Sequence, residues 1–322
     1  MATELWLTSL LAGATPNATG ASQAMNTSWQ HSKQIGLAVI TLVYGLAIGA
    51  GVGVFCATPD LHFFARLLLA DVGATVLVFL ASLAFSNASL YDPYWSVAPI
   101  VICVGTALGQ DRVSPAGWLM LAAICFWGVR LTANWAYTFT DLSTQDWRYD
   151  HFKARYPRLF PLISFGGIML IPTLVVYLCL LPAVQVLLEP SRVGGLTVIG
   201  FAVCLLAATL QLVADRQMHR FRRAKAGKQA LIRVGLWRYA RHPNYLGEIL
   251  MWWGVFTTVL AQGWDWWHLG AGALANTMLF LLISIPMADR RNRAMRPGFE
   301  QYYRQTNSLL PIKVKQSTHD RL

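Results

Sequence analysis

What this sequence lacks sets the first limits. It is short of charge: Asp, Glu, Lys and Arg make up 13% of its 322 residues, where soluble domains carry about 25%. Acids are the scarcer sign, 15 against 26 Lys and Arg, so the net charge is +11. Cysteines are few, and Cys56, Cys103, Cys125, Cys179 and Cys204 all fall inside apolar runs. Their spacing suits neither a disulfide framework nor a zinc site, so no metal is expected. Neither Gly-x-Gly-x-x-Gly nor a P-loop occurs. A nucleotide, if bound, is held by something other than a Rossmann or Walker domain. Internal repeats and low-complexity stretches are also missing.

Apolar residues are abundant, at 55% of the chain and a mean hydropathy of +0.44. They gather into blocks near 35–57, 63–85, 95–109, 115–138, 161–184, 193–214, 244–262 and 268–287. A spanning helix needs about 20 mostly apolar residues. The blocks do not alternate as barrel strands do, and backbone groups in lipid must be satisfied within the segment, which leaves helices. The predicted fold is therefore all-α: a polytopic membrane bundle of eight transmembrane helices, the third short enough to be tilted or re-entrant. The domain reading is a poorly ordered N-terminal tail (1–34), a first helix (35–62), a membrane domain (63–312) and a C-terminal tail (313–322).

Charge placement orients the bundle. With eight spans, both termini share one face with loops 86–94, 139–160 and 215–243. That face carries nearly all the Lys and Arg, whereas the other has only Arg66, Arg112 and Arg192. The positive-inside rule makes the crowded face cytoplasmic. Nucleic acid is not an expected partner, because membrane orientation accounts for the charge. The weak apolar patch Leu5 to Ala14 lacks a basic flank, so it is not read as a cleaved signal peptide. Asn17, Asn26 and Asn87 begin glycosylation sequons, and this topology leaves them unmodified on the cytoplasmic face.

Ionisable groups inside spans point to function by default. Arg130, in Trp127-Gly-Val-Arg130-Leu, lies about ten residues inside span four, too deep to snorkel. It either serves a ligand or pairs with a carboxylate on another helix, such as Asp71. Asp71 and His62 read as packing or interface residues. The stretch Asp141 to Arg158 mixes three acids with four bases and, with Asp146-Trp-Arg148-Tyr149, reads as a loop at the membrane surface.

The densest polar pattern runs from Gly235 to Glu248, joining a basic loop to span seven. Pro243 suits the first turn of a helix. Asn244 and Glu248, four apart, share one face and can hold a carboxamide or ribose hydroxyls. Arg241 and His242 suit a phosphate or developing anion. The bland reading is helix capping and anchoring to anionic lipid. Asp215 and Arg222, seven apart after span six, share a face if that helix continues.

Arg241-His-Pro-Asn-Tyr245-Leu-Gly-Glu248, with the upstream Gly235-Leu-Trp-Arg-Tyr, resembles the steroid 5-alpha-reductase family, closest to its bacterial-type branch. The likeness covers roughly residues 65–312. It includes Trp127-Gly-Val-Arg-Leu, Asp146-Trp-Arg-Tyr, Asp215-Arg-Gln and the tail from Phe299 to Pro311. Isoprenylcysteine and phospholipid methyltransferases share a similar Arg-His-Pro-x-Tyr.

The resemblance implies an NADPH-dependent membrane oxidoreductase acting on a carbon–carbon double bond conjugated to a carbonyl. The implied substrate is lipophilic, steroid-, sterol- or prenoid-like, and membrane lipids are the other partners. Carried over, it assigns cofactor contacts to Arg130, Arg148, Asp215, Arg222, Arg241, His242, Asn244, Tyr245, Glu248 and Arg291. Asp92 falls near the family's catalytic glutamate and would polarise the carbonyl; helix capping before Pro93 is an equal reading. Trp127 stands where the steroid enzymes have a tyrosine, so Tyr91 or Tyr94 is the candidate for that hydroxyl. The first span is additional to the family's usual seven, and the branch favours a bacterial inner membrane over the endoplasmic reticulum. Two rival functions stand beside this. One is an S-adenosylmethionine-dependent methyltransferase of isoprenylcysteine or phospholipid type. The other is a non-enzymatic lipid-binding protein.

Overall fold

A computed structural model describes residues 28–224 and 230–310. The readings placed on residues 1–27 and 311–322, including Leu5–Ala14, Asn17 and Asn26, lie outside the described residues.

Ten helices account for the fold. Eight occupy the apolar blocks: α1 (Lys33–Ala57), α2 (Phe63–Ala84), α3 (Tyr94–Leu108), α4 (Pro115–Thr138), α6 (Phe160–Leu188), α7 (Gly195–Ala224), α8 (Pro243–Val259) and α9 (Trp264–Met295). Two short polar helices, α5 (Trp147–Arg155) and α10 (Phe299–Gln305), lie outside the apolar blocks. Six of the eight are long and apolar enough to cross a membrane. Helix α3, at 15 residues, and α8, at 17, fall short. At 1.5 Å per residue α3 extends only about 22 Å, against a hydrocarbon core of about 30 Å. The chain is an integral, multi-pass membrane helix bundle, with eight helices where eight were expected and six of full spanning length.

Local chemistry explains the boundaries. Ser32 caps α1 and Ser114 caps α4 by accepting backbone N–H bonds from Ile35 and Gly117. Pro243 occupies the opening turn of α8, as its sequence suggested. Widened π turns at Ser164–Leu170 and Phe280–Ser284 fall just before Pro172 and Pro286. A proline ring removes the regular i→i−4 bond, and the π turn absorbs the misfit.

The tightest seam joins α7 to α8. A Cβ on Gly200 would sit 2.6 Å from the Gly254 carbonyl oxygen, and one on Gly247 would sit 2.8 Å from that of Ala207. Only glycine lets the two backbones approach so closely. The bundle centre is aromatic: Trp127 (α4) and Trp252 (α8) are fully buried with ring centroids 5.0 Å apart, edge to face. Helix α1 packs along α2 and reaches the rest through the Tyr44 hydroxyl, which donates to the Leu90 carbonyl at 2.8 Å.

Helix ends at one face are laced together by polar bonds. Lys33 Nζ donates to the Tyr137 carbonyl, and the Asn87 amide donates to the Leu142 and Thr144 carbonyls. Asn87 is thereby buried, and its Oδ1 accepts from the Ser89 backbone N–H at 2.8 Å. The stretch read as a surface loop is in fact helix α5, started by Asp146, whose carboxylate accepts from the Arg148 backbone N–H at 2.9 Å.

Candidate functional site

A cavity of about 460 Å³ opens among the ends of α4, α5, α7, α8, α9 and α10. Helical spacing delivers its α7 wall: Asp215, Met218, His219 and Arg222 recur at i, i+3, i+4 and i+7 and all line it. Arg241, His242, Asn244 and Tyr245 enter from the start of α8, Arg148 from α5, and Arg291 and Arg296 from the end of α9 and the turn after it. The start of α8 is pinned by the tail. Arg241 and His242 donate their backbone N–H groups to the carbonyls of Asn307 and Ser308, and the Tyr302 hydroxyl donates to the Trp237 carbonyl.

The lining is strongly cationic. Its two carboxylates are already engaged: Asp146 with Arg148 at 2.7 Å and Asp215 with Arg130 at 3.0 Å. Arg222, Arg291 and Arg296 have no carboxylate within 4.0 Å among the described residues. Arg291 instead lies 4.3 Å over the Trp147 ring. Burial, then the guanidiniums of Arg222 and Arg291, pulls the Arg296 pKa below its ordinary value. Asn244 adds an acceptor, Oδ1, that is buried with no hydrogen-bond partner.

Two residues assigned to this site by resemblance lie beneath its floor. Arg130 is buried and does not line the cavity: it pairs with Asp215 and donates to Gln211 Oε1. Its partner is thus on α7, not Asp71. Glu248 is buried one turn deeper than Asn244. Its carboxylate accepts from the Trp127 indole at 3.0 Å, the Gln211 amide at 2.7 Å and the Trp252 indole at 2.9 Å. Asn244 and Glu248 share a helix face but not the cavity wall, because four residues of rise, about 6 Å, carry Glu248 towards Trp127 and Trp252. Below the α8 start, Asp289 joins Arg241 at 3.1 Å to His242 Nε2 at 2.9 Å, and His242 stacks on Tyr245.

A second chamber of about 400 Å³ adjoins the first, the two sharing Asn134, Thr138, Asp146 and Arg148 in their walls. Asp92 lines it with Trp95, Trp135 and Phe139. The Tyr149 hydroxyl donates to Asp92 Oδ1 at 2.7 Å. Burial pushes the Asp92 pKa from 3.8 up to about 6, against the lowering effect of the Tyr149 bond. Asp92 does not cap α3, whose N-cap residue is Pro93 with no side-chain cap bond. Neither tyrosine offered for the missing hydroxyl lines this chamber. Tyr91 bonds Thr173 Oγ1 at 2.9 Å, and the Tyr94 hydroxyl donates to Asp71 Oδ1 at 2.7 Å. Asp92 therefore faces this chamber, while Tyr91 and Tyr94, their rings stacked at 5.3 Å, lie away from it.

Sequence reasoning passed over Asn134, His219, Trp147, Tyr149 and Arg296. The α7 spacing was enough to find His219, and Asn134 lies one turn after Arg130. Tyr149 lay in the Asp146–Tyr149 motif with no role assigned to it, and Arg296 gave no comparable signal, since only the turn after α9 brings it in.

No metal-binding group of three or more His, Cys, Asp or Glu occurs among the described residues. No curated protein and no solved structure matches the chain. A family model described as a protein of unknown function, DUF1295, matches residues 78–306. That span holds both chambers and every helix but α1 and the start of α2, so the chain belongs to the DUF1295 family of membrane proteins.

Proposed function

We propose that this protein is an NADPH-dependent membrane reductase that delivers a hydride to a carbon–carbon double bond conjugated to a carbonyl in a lipophilic, steroid-, sterol- or prenoid-like substrate. The observation that carries the reading is one cavity holding three guanidiniums without carboxylate partners, Arg222, Arg291 and Arg296, beside the orphan acceptor Asn244 Oδ1. Guanidinium forks match phosphate oxygens, and a dinucleotide with a further phosphate offers several. The Asn244 oxygen fits an amide N–H such as a carboxamide donates. A sulfonium methyl donor offers these three arginines a single carboxylate and no phosphate, which favours the reductase over the methyltransferase.

The bound cofactor supplies the hydride. Arg222, Arg291 and Arg296 would hold its phosphates, and Asn244 would orient its carboxamide end. Arg130 and Glu248 stiffen the floor rather than touch it. In the adjoining chamber Asp92 holds a proton, and Tyr149 fixes its carboxyl; from there the proton reaches a substrate carbonyl oxygen. Trp95, Trp135 and Phe139 keep water from the apolar part of the substrate. The excess of Lys and Arg on this face supports a cytoplasmic mouth, where NADPH is available, with both termini on the same side and a bacterial inner membrane as the setting.

Mass spectrometry of small molecules released by denaturing detergent-purified protein tests the reading directly: NADP(H) is expected. In calorimetric titration Arg222→Ala or Arg296→Ala is expected to weaken NADPH binding by about 10- to 100-fold, one charge-assisted bond each. Asn244→Ala loses about 2- to 10-fold, a neutral bond. Wild-type affinity in all three variants overturns the assignment. Displacement of NADPH by anionic lipid vesicles, with no NADP(H) released, would instead favour the lipid-binding alternative.

A further inference from the structure

A third cavity, of about 430 Å³, lies between α1, α2 and α3. Its size suits a small-molecule site, and its lining differs in kind from the two chambers. It is walled by alanine, glycine, valine and aromatic rings, and it shares no lining residue with either chamber. On α3, Tyr94, Val97, Ala98 and Val101 face this groove, while Trp95 and Ser96 face the chamber holding Asp92. The two spaces lie on opposed faces of one helix. The groove also depends on α1, which lies outside the residues the family model matches.

Arg66, Thr106 and Gln110 are among the polar residues of the wall, and Asp71 is its one acid. Asp71, 7% exposed, lines the groove and receives the Tyr94 hydroxyl on Oδ1. No Lys, Arg or His nitrogen lies within 4.0 Å of its carboxyl among the described residues. The groove's one cation, Arg66, sits at the far mouth and donates to the Phe55 carbonyl at 2.9 and 3.1 Å. Ile48 and Val52 of the α1 wall are exposed apolar side chains, so the groove is entered from the bilayer.

An ionisable side chain kept inside a membrane helix without a charged partner marks a ligand path. The ligand must be apolar for most of its length and meet the carboxyl with one polar group. A hydroxyl both donates and accepts, so it satisfies the carboxyl whichever way that group is protonated. An ammonium would carry its charge into hydrocarbon, which is costly, and a phosphate or carboxylate head would face a carboxyl. We infer that the α1–α2–α3 groove binds an uncharged lipid alcohol, its hydroxyl on Asp71 and its body along α1 and α3.

Photolabelling of the full-length protein in nanodiscs tests this, with a long-chain alcohol carrying a diazirine at mid-chain as the probe. Labelled peptides are expected from α1, α2 and α3. Unlabelled alcohol of the same chain should suppress labelling at least about 3-fold better than the matching amine, fatty acid or phosphatidylglycerol, the margin of one hydrogen bond. Asp71→Leu should cut labelling by a similar factor while Tyr94 keeps its bond to the Asp71 carbonyl at 3.1 Å. Val101→Trp, which fills the groove, should abolish it. Labels mapping outside the groove, or equal competition by the charged lipids, overturn the inference on wild-type protein, whatever the variants do. NADPH affinity is a separate readout, unchanged by Val101→Trp, so the two readings fail independently.

Discussion

The cationic chamber and the α1–α2–α3 groove are nearly equal in volume, about 460 and 430 Å³, and opposite in every other respect. One is walled by arginines on α7, α8 and α9, the other by small and apolar residues around a single acid. Volume alone says nothing about what enters either; the charge left without a partner does. The helices around them differ in the same way. The α7–α8 seam beside the chamber is packed to backbone contact, whereas Gly45, Gly49 and Gly53 of α1 have nothing within 4 Å of where a Cβ would be. Those three are exposed; on its packed face α1 is close too, since a Cβ on Gly51 would lie 3.1 Å from the Ala70 carbonyl oxygen.

The contrast can be broken from several sides. The largest effect is expected from Arg130→Met, which strands Asp215 without its cation under the chamber floor. Breaking a buried pair costs about 3–5 kcal/mol, to be read as loss of stability in detergent unfolding. Arg130→Met with Asp215→Asn should recover part of it, and failure to do so would return Arg130 to direct ligand contact. Next, Gly254→Ala puts a methyl 2.9 Å from the Gly200 carbonyl oxygen and 2.7 Å from Cys204 Sγ. Overpacking of this kind costs about 1–3 kcal/mol. Gly49→Ala, in open space on α1, should move stability the other way by about 0.5–1 kcal/mol through helix propensity alone. A loss there would mean that α1 is held as tightly as α8.

The subtlest test concerns Asp92. Its pKa is raised to about 6 in the fold from 3.8. The folded protein therefore holds the proton more tightly, and the stability this gives is fully present below about pH 4 and lost as pH rises towards 6. Reductase activity that needs the protonated acid should fall along the same limb above about pH 6. Asp92→Asn should abolish activity and flatten the stability profile between pH 4 and 6. A pH profile unchanged by that substitution would remove Asp92 from the chemistry.

Much of the fold was legible because lipid leaves few options. Span four was read as 115–138 and α4 occupies Pro115–Thr138; span two was read one residue too long. What hydropathy could not show was α5, since a polar helix lying at a surface carries no apolar run. Which residues share a cavity was legible where the signal was local: Asp215 with Arg222, and Arg241 and His242 with Asn244 and Tyr245, line one cavity. Distant partners were not legible. Arg130 meets a residue 85 positions away, and Glu248 one 121 positions away, and no spacing rule reaches that far.

The paired backbones at Arg241–Asn307 and His242–Ser308 place the last described helix and the segment after it on the chamber's rim. During synthesis this part of the wall is the last to leave the ribosome. Every membrane helix can therefore be inserted and packed while the cavity still lacks one side. A nascent chain stalled before Ser308 would hold its described membrane helices and still lack this part of the wall. Closing the cavity is then an event separate from insertion, set by when Asn307 and Ser308 reach Arg241 and His242.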